Sequence, residues 1–432
     1  MRKIIICFLF IFLTMPVHAL SVINDTETEK LLHKIITPVA VAADIPENRL
    51  KIHIVNDDDF NAFVSGGEDV FVYTGLLTRI KNINALQAVI AHELGHTIGG
   101  HMAQMSARME AELKRTLIIQ ALGVGLMVAG GNPSLGAGVL AGTGGIAQQS
   151  MLSFSRDEER VADDFAVDLM VRANINPNGL ITVFEQMQNI TGAAEAKINK
   201  NRTNHPLTGE RLKNTREKIS QIKHNAKYKK YNDNEYELVR AKLIGYLYNE
   251  QQILDKYPYR ITDQAALYAR AIGNMRGGAL VAARDATQDL IQRNKKNPYY
   301  YELLGDIEYQ MGHYDDAVRA YEHALELDEK APQIQTALAL VLAERGKPGD
   351  NAQAIELCKT ALLTEPTPLA YWVLAKLYDD GRKYWALAEF YNMNGDKKKA
   401  RTFAKRAMDK LNPDTPEYIK SQDILDDIAQ RN

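Results

Sequence analysis

Cysteine is almost missing from this chain of 432 residues, which holds only Cys7 and Cys358. Cys7 sits in an apolar stretch at the N-terminus, so removal of that stretch leaves one thiol and excludes an intramolecular disulfide. Cys358, in an apolar helical segment, reads as a small buried hydrophobe rather than a reactive group. A basic excess is missing too. The formal net charge is -2, and loss of Arg2 and Lys3 with the first nineteen residues makes it -4, which leaves no electrostatic footprint for nucleic acid. Long uninterrupted apolar runs are also lacking. The run from Ile4 to Val17 falls short of the roughly 20 residues that a spanning helix needs.

What is present near the N-terminus is a secretory pattern: Arg2 and Lys3, the apolar run, then Val17-His18-Ala19 as a small-x-small site. It predicts a signal peptide over residues 1–19, cleaved after Ala19, and an exported chain. The remainder, within a composition of 46% apolar and 25% charged residues, can bury a large core and is long enough for two domains.

The richest segment is His92-Glu93-Leu94-Gly95-His96. Residues i and i+4 share a helix face, so two neutral imidazoles one turn apart can grip one Zn²⁺ while Glu93 reaches a metal-bound water. Good helix formers from Asn84 to Ala91 lead into it, and no proline intervenes before His101. A catalytic zinc needs a third protein ligand and an open position. Ser155-Arg156-Asp157-Glu158-Glu159-Arg160-Val161-Ala162-Asp163 offers one on a second helix: Glu159 as ligand, with Asp163 one turn on to accept a hydrogen bond from a ligating imidazole. Glu158 is the competing ligand, but it faces about 100° away and lacks a partner four residues on.

Before the metal helix the pattern predicts a helix from Glu29 to Ala43, a strand from Leu50 to Val55, and two strands, Asn61 to Val64 and Val70 to Tyr73, joined through Gly66-Gly67. Such a hairpin leaves an edge to which an extended peptide can add, or serves as plain scaffold. Leu117 to Ile146 has no charged residue and nine glycines, and it is broken at Gln120 and at Gly130-Gly131-Asn132-Pro133. It reads as a lid over the cleft, with a peripheral membrane contact as the alternative. Residues 226–263 read as a linker with a helix from Glu235 to about Leu254. Beyond Gln264 the chain repeats with a period of about 34 residues, that of a tetratricopeptide helix pair. The clearest unit, Pro298 to Ala331, carries Tyr301, Leu304, Gly305, Gly312, Tyr314, Ala317, Tyr321, Ala324 and Leu325 in register. Such an array has no chemistry of its own and typically offers a recognition surface.

The metal helix, the Ser155-Arg156…Glu159…Ala162-Asp163 helix and the Asn61-Ala62-Phe63 strand resemble those of the zinc metalloproteases related to HtpX and the CAAX prenyl proteases, particularly exported members with tetratricopeptide repeats. The resemblance covers nearly the whole chain after residue 19. It implies an α+β, mostly helical fold: a gluzincin-type metallopeptidase domain with a small sheet over residues 20–225, then an α-solenoid of tetratricopeptide repeats over residues 264–432. Asn204-His205-Pro206-Leu207-Thr208-Gly209-Glu210-Arg211 matches a further segment of that family. By resemblance His205 is a fourth zinc ligand in a resting state and Arg211 lies near the substrate side of the cleft, where it is a candidate oxyanion stabiliser. From its own residues, His-Pro predicts only an extended turn with an accessible imidazole.

The expected activity is that of a zinc endopeptidase with one Zn²⁺ per chain, held by His92, His96 and Glu159, with Glu93 as general base. The family implies a periplasmic location, unfolded or misassembled outer-membrane proteins as substrates, and docking of the repeats on outer-membrane assembly machinery. The rival expectation is a chaperone or assembly factor whose zinc site is silenced by His205.

Overall fold

The structure is a computed structural model that describes residues 21–101, 104, 154–194, 205, 207–222 and 227–430. The expected signal peptide and the lid or membrane contact at Leu117–Ile146 lie outside the described residues.

Helix α1 (Thr26–Ala42) begins where the Asp25 carboxylate accepts a hydrogen bond from the Thr28 N–H at 2.8 Å. Leu31, Leu32, Ile35, Ile36 and Val39 form its buried stripe, at the spacing that puts side chains on one helical face. Strands β1 (Val22–Ile23), β2 (Lys51–Val55), β3 (Ala62–Ser65) and β4 (Asp69–Tyr73) make one sheet in the order β1-β2-β4-β3. The β2–β4 pairing is parallel and the outer two are antiparallel. Gly66 and Gly67, at φ of 59° and 83°, turn the chain between β3 and β4 in a backbone region that side chains resist. Along that hairpin Ala62, Val64, Val70 and Val72 enter the core. Phe63 and Phe71, paired directly, stack at 4.5 Å on the other face. Strand β3 is an edge strand and packs beside the metal helix.

After the short α2 (Thr74–Arg79), helix α3 (Ile83–Ile98) starts at Asn82, whose side chain accepts from the Ala85 N–H, and ends at Gly99. Ile83, Leu86, Ala88, Ile90, Ala91 and Leu94 are buried, so α3 runs through the middle of the domain. Helix α4 (Arg156–Arg172) packs against it, followed by α5 (Asn178–Ala194) and α6 (Gly209–Ser220).

The apolar pattern from Glu235 to Leu254 is two helices rather than one: α7 (Asp233–Leu247) and α8 (Glu250–Lys256). The break falls at Asn249, which forms a capping box with Gln252. Tyr236, Val239 and Leu243 of α7 join the core of the first domain, and the Tyr236 hydroxyl donates to the Leu77 carbonyl at 2.6 Å. The same helix meets the array, its Gly245 so close to Ile272 that an added Cβ would lie 2.8 Å from the isoleucine Cβ.

The repeats are α9 (Gln264–Arg276) with α10 (Leu280–Arg293), α11 (Pro298–Gln310) with α12 (Tyr314–Leu327), and α13 (Pro332–Arg345) with α14 (Asp350–Thr364). Gly305 and Tyr321 make the close contact of the middle pair, and Gly346 and Gly349, both at positive φ, turn the chain between the two helices of the third. A further helix, α15 (Pro368–Leu377), precedes α16 (Arg382–Met393), α17 (Lys397–Met408) and α18 (Pro416–Gln430).

The start of α1 is seated among array residues. Buried Lys242 of α7 lies 2.7 Å from Asp25, 3.3 Å from Glu27 and 3.7 Å from Glu302, while the Tyr268 hydroxyl donates to Glu27 at 2.9 Å. Lys30 pairs with Asp328, and the Asn24 amide donates to Glu365. Among the described residues no helix is long and apolar enough to cross a membrane.

Candidate metal centre

Helix α3 puts His92 and His96 on one face, and α4 brings Glu159 and Asp163 to them. The crossing is tight because position 95 is glycine: an added Cβ would lie 2.6 Å from the Ala162 carbonyl oxygen. Glu158, the alternative ligand of the sequence reading, is engaged at the start of α4. Its carboxylate accepts from the Ser155 N–H at 2.8 Å, while Ser155 Oγ accepts from the Glu158 N–H at 3.2 Å. This Ser-x-x-Glu capping box was visible in the sequence and removes the ambiguity between the two glutamates.

His92 Nε2, His96 Nε2, His205 Nδ1 and the Glu159 carboxylate oxygens converge. His92 Nε2 is 3.1 Å from His96 Nε2, 3.3 Å from His205 Nδ1 and 3.4 Å from Glu159 Oε2. His205 Nδ1 and His96 Nε2 stand 2.7 Å and 3.6 Å from Glu159 Oε1. Atoms bound tetrahedrally at 2.0–2.1 Å from one ion are about 3.3 Å apart, so the donor set fits a single small cation. Three imidazoles and a carboxylate crowd their donor atoms round one buried point, an arrangement that a bound cation would hold together, which is the chemistry expected of a metal site.

The surroundings orient the donors. His92 Nδ1 is 2.9 Å from Asp163 Oδ1, which leaves Nε2 to face the centre. Burial opposes protonation of His92, but its bonds to Asp163 and Glu159 outweigh this and push it up to about 10. Burial, with His92 and His205 as neighbours, pushes His96 down to about 2. Burial favours a neutral Glu159, yet His205 and His92 hold its carboxyl well below the ordinary range. Glu93 is displaced the other way: burial raises it against the pull of His205 and His92. Its Oε1 is 3.6 Å from His205 Nε2, so the His205 ring stands between Glu93 and Glu159.

Arg211, expected near the substrate side of the cleft as an oxyanion stabiliser, has its guanidinium on two carboxylates. Held at the start of α6, where Thr208 Oγ1 accepts from its N–H, it turns inward. Nε and Nη2 donate to the two oxygens of Asp163 at 2.8 Å each, and Nη1 is 2.6 Å from Glu159 Oε2. The guanidinium thus compensates two buried carboxylates.

Two residues escaped the sequence reading. His101 Nδ1 lies 2.9 Å from His96 Nδ1, and Phe154 stacks on the His96 ring at 3.9 Å between centroids. A histidine just beyond Gly99-Gly100 was the signal for the first, since paired glycines after a helix allow the chain to fold back. Nothing local marks Phe154.

The chain is similar to known sequences over most of its length. Residues 26–219 match peptidase family M48 and residues 305–346 match a TPR repeat. The beta-barrel assembly-enhancing protease of Escherichia coli (strain K12) is 24% identical over 341 residues, which is 77% of this chain and 68% of that protein. Its Yersinia pestis counterpart is 24% identical over 74% of this chain and 66% of its own length. The metalloprotease YcaL of Escherichia coli (strain K12) is 30% identical over 38% of this chain and 59% of its own. A thermophilic TPR protein of Thermus thermophilus superposes on 44% of this chain with a TM-score of 0.26 and 21% identity, too distant a likeness to add to the sequence matches. The M48 match spans the helices that carry His92, His96, Glu159 and Arg211, and the chain is accordingly a metalloprotease with a peptidase family M48 domain followed by TPR repeats.

Proposed function

We propose that the protein is a periplasmic zinc endopeptidase that cleaves misfolded or stalled outer-membrane β-barrel proteins and assists their assembly, with the repeats docking on the assembly machinery. The observation that carries the catalytic part is the meeting of His92, His96 and Glu159 beside a buried Glu93. Zinc is the metal chosen because two imidazoles and one carboxylate with a remaining position form a catalytic zinc set, which supplies Lewis acidity and a nucleophilic water near neutral pH.

Around it the chain's own groups do the proton work. Glu93 takes a proton from the attacking water and returns it to the leaving amine; its raised proton affinity suits both steps. Asp163 faces the His92 Nδ1, Arg211 and His92 hold Asp163 ionised against burial, and Arg211 also pairs with Glu159. Strand β3, beside α3, is where an extended substrate would add by backbone hydrogen bonds. That arrangement suits an unfolded chain better than a folded one. The periplasmic location rests on the Arg2-Lys3 and Ile4–Val17 signal, and the substrate class on the name of the Escherichia coli relative.

One contact favours a second reading, an assembly factor whose peptidase is held silent. The His205 ring lies within the donor set and against Glu93, so its Nδ1 takes a position that a water or a substrate carbonyl would otherwise need. Glu93→Gln beside His205→Ala, assayed on an unfolded β-barrel protein, separates the two. The peptidase reading expects zinc retained and cleavage lost in the first, with cleavage equal or faster in the second. Cleavage by Glu93→Gln at the wild-type rate rules Glu93 out as the base.

A further inference from the structure

His96 has an unusual partner for a metal-ligating imidazole. Its Nδ1 faces another imidazole nitrogen, His101 Nδ1, at 2.9 Å, and both rings are buried, 1% and 4% exposed. If His96 Nε2 offers its lone pair to the centre, the neutral ring carries its proton on Nδ1, and that proton needs an acceptor. Only a His101 with a bare Nδ1 and a proton on Nε2 can serve. His101 is therefore placed to do for His96 what the Asp163 carboxylate, 2.9 Å from His92 Nδ1, is placed to do for His92: take the proton on the nitrogen facing away from the metal position.

The backbone is built to allow this. His101 follows His96 by five residues, and on a continued helix it would point to a different quarter. Gly99 and Gly100 end α3, with Gly100 at φ of 68°, and the chain doubles back. Even then room exists only because residue 99 lacks a side chain: an added Cβ would lie 2.5 Å from His101 Nε2. Phe154 stacks on His96 with an interplanar angle of 23° and fixes the plane in which the bond is made. His101 itself is outside the converging donor group, so it is not a fifth ligand.

We infer that His101 is a positioning residue that fixes the tautomer and ring plane of His96 for metal binding, and that Gly99-Gly100 exists to bring it there. The inference rests on the metal-site reading and is separable from it. Removing such an outer partner commonly costs 10-fold to 100-fold in metal affinity.

The test is zinc affinity of the metal-stripped mature chain, measured by competition with a chromophoric chelator, together with the visible spectrum of the Co²⁺-loaded protein. His101→Leu is expected to bind zinc about 10-fold to 100-fold more weakly and to alter the cobalt bands. His101→Asn, whose side-chain oxygen sits near the place of Nδ1, is expected to recover most of the affinity. Gly99→Ala, which leaves every ligand intact but must displace the His101 ring, is expected to weaken binding as His101→Leu does, and it keeps the question open to measurement should the leucine variant not fold. A wild-type chain that binds no zinc defeats the metal-site reading. A zinc-binding wild type whose His101→Leu variant has the same affinity and cobalt spectrum overturns the positioning role alone, as does a His101→Asn variant no better than His101→Leu.

Discussion

Gly95 and Ala162 touch where the two site helices cross, and the contact has no space for a methyl group: a Cβ on residue 95 would stand 2.6 Å from the Ala162 carbonyl oxygen. The obstacle is backbone, which cannot swing away as a side-chain tip can. Since Ala162 lies between Glu159 and Asp163 in sequence, and Gly95 immediately precedes His96, the separation of the helices sets the distance between the imidazoles and the carboxylates. Gly95→Ala is expected to destabilise the fold by about 1–3 kcal/mol, the usual cost of overpacking, and to lower zinc occupancy. Urea unfolding and metal analysis check the two effects; wild-type values in both mean that the helices part freely.

Arg211 and Asp163 form a two-pronged bond in a site where Glu159 is also ionised. Burial works against Arg211's charge, yet Asp163 and Glu159 raise its proton affinity, so it remains a cation. Arg211→Met would leave two carboxylates buried without that cation, an arrangement that costs about 3–5 kcal/mol when one partner of a buried pair is lost. A metal ion at the centre supplies positive charge to Glu159, so the loss is expected to be larger in chelator-treated protein than with zinc. Thermal unfolding of both forms tests this. Equal losses would show that Arg211 and the metal do not share a carboxylate.

Much of this arrangement was legible because helical spacing is a local rule. His92 and His96, or Glu159 and Asp163, are each one turn apart, and the period of the repeats needs no knowledge of the fold. Chain reversals are less legible. His101 reaches His96 only through the Gly99-Gly100 turn, and Phe154 arrives from a distant part of the chain. The division of Glu235–Leu254 was hidden because apolar residues continue through it, although Asn249 and Gln252 spelled a capping box. The partners of Arg211, Asp163 and Glu159, lie about fifty residues earlier, a pairing that no local spacing rule announces.

The seat of α1 in the array carries a pH dependence. Burial, then the nearby Glu365 carboxylate, raises the Glu29 carboxyl to about 7, and burial raises Glu302 to about 8 despite Lys242. In the unfolded chain both groups titrate near 4.5. Between about pH 4.5 and about 7 the folded state therefore holds the Glu29 proton more tightly, so this contribution is complete below that window and falls as the pH rises through it. The Glu302 contribution continues to fall to about pH 8. Glu29→Gln keeps an oxygen for the Asp25 N–H, which Glu29 accepts at 3.0 Å, and removes the titration. The expected result is a flatter stability profile between pH 5 and 7 in the variant, measured by urea midpoints; parallel profiles would exclude Glu29 as a source.

Cys358 supplies a reporter for the array. It is fully buried in α14 beside the α13 packing surface, and burial pushes its thiol up to about 12. A thiol reagent needs both access and thiolate, and the folded array denies both. At pH 8 a chain of residues 20–432, in which Cys358 is the one cysteine, is expected to resist aromatic disulfide reagents until the array opens, then to react at one site per chain. Lys242→Met should advance that reaction, because Asp25, Glu27 and Glu302 would lose the cation they surround, and the start of α1 would be repelled from the helices that hold it. Labelling across a urea series reads this out. If labelling of Lys242→Met begins at the wild-type urea concentration, the junction and the third repeat open independently.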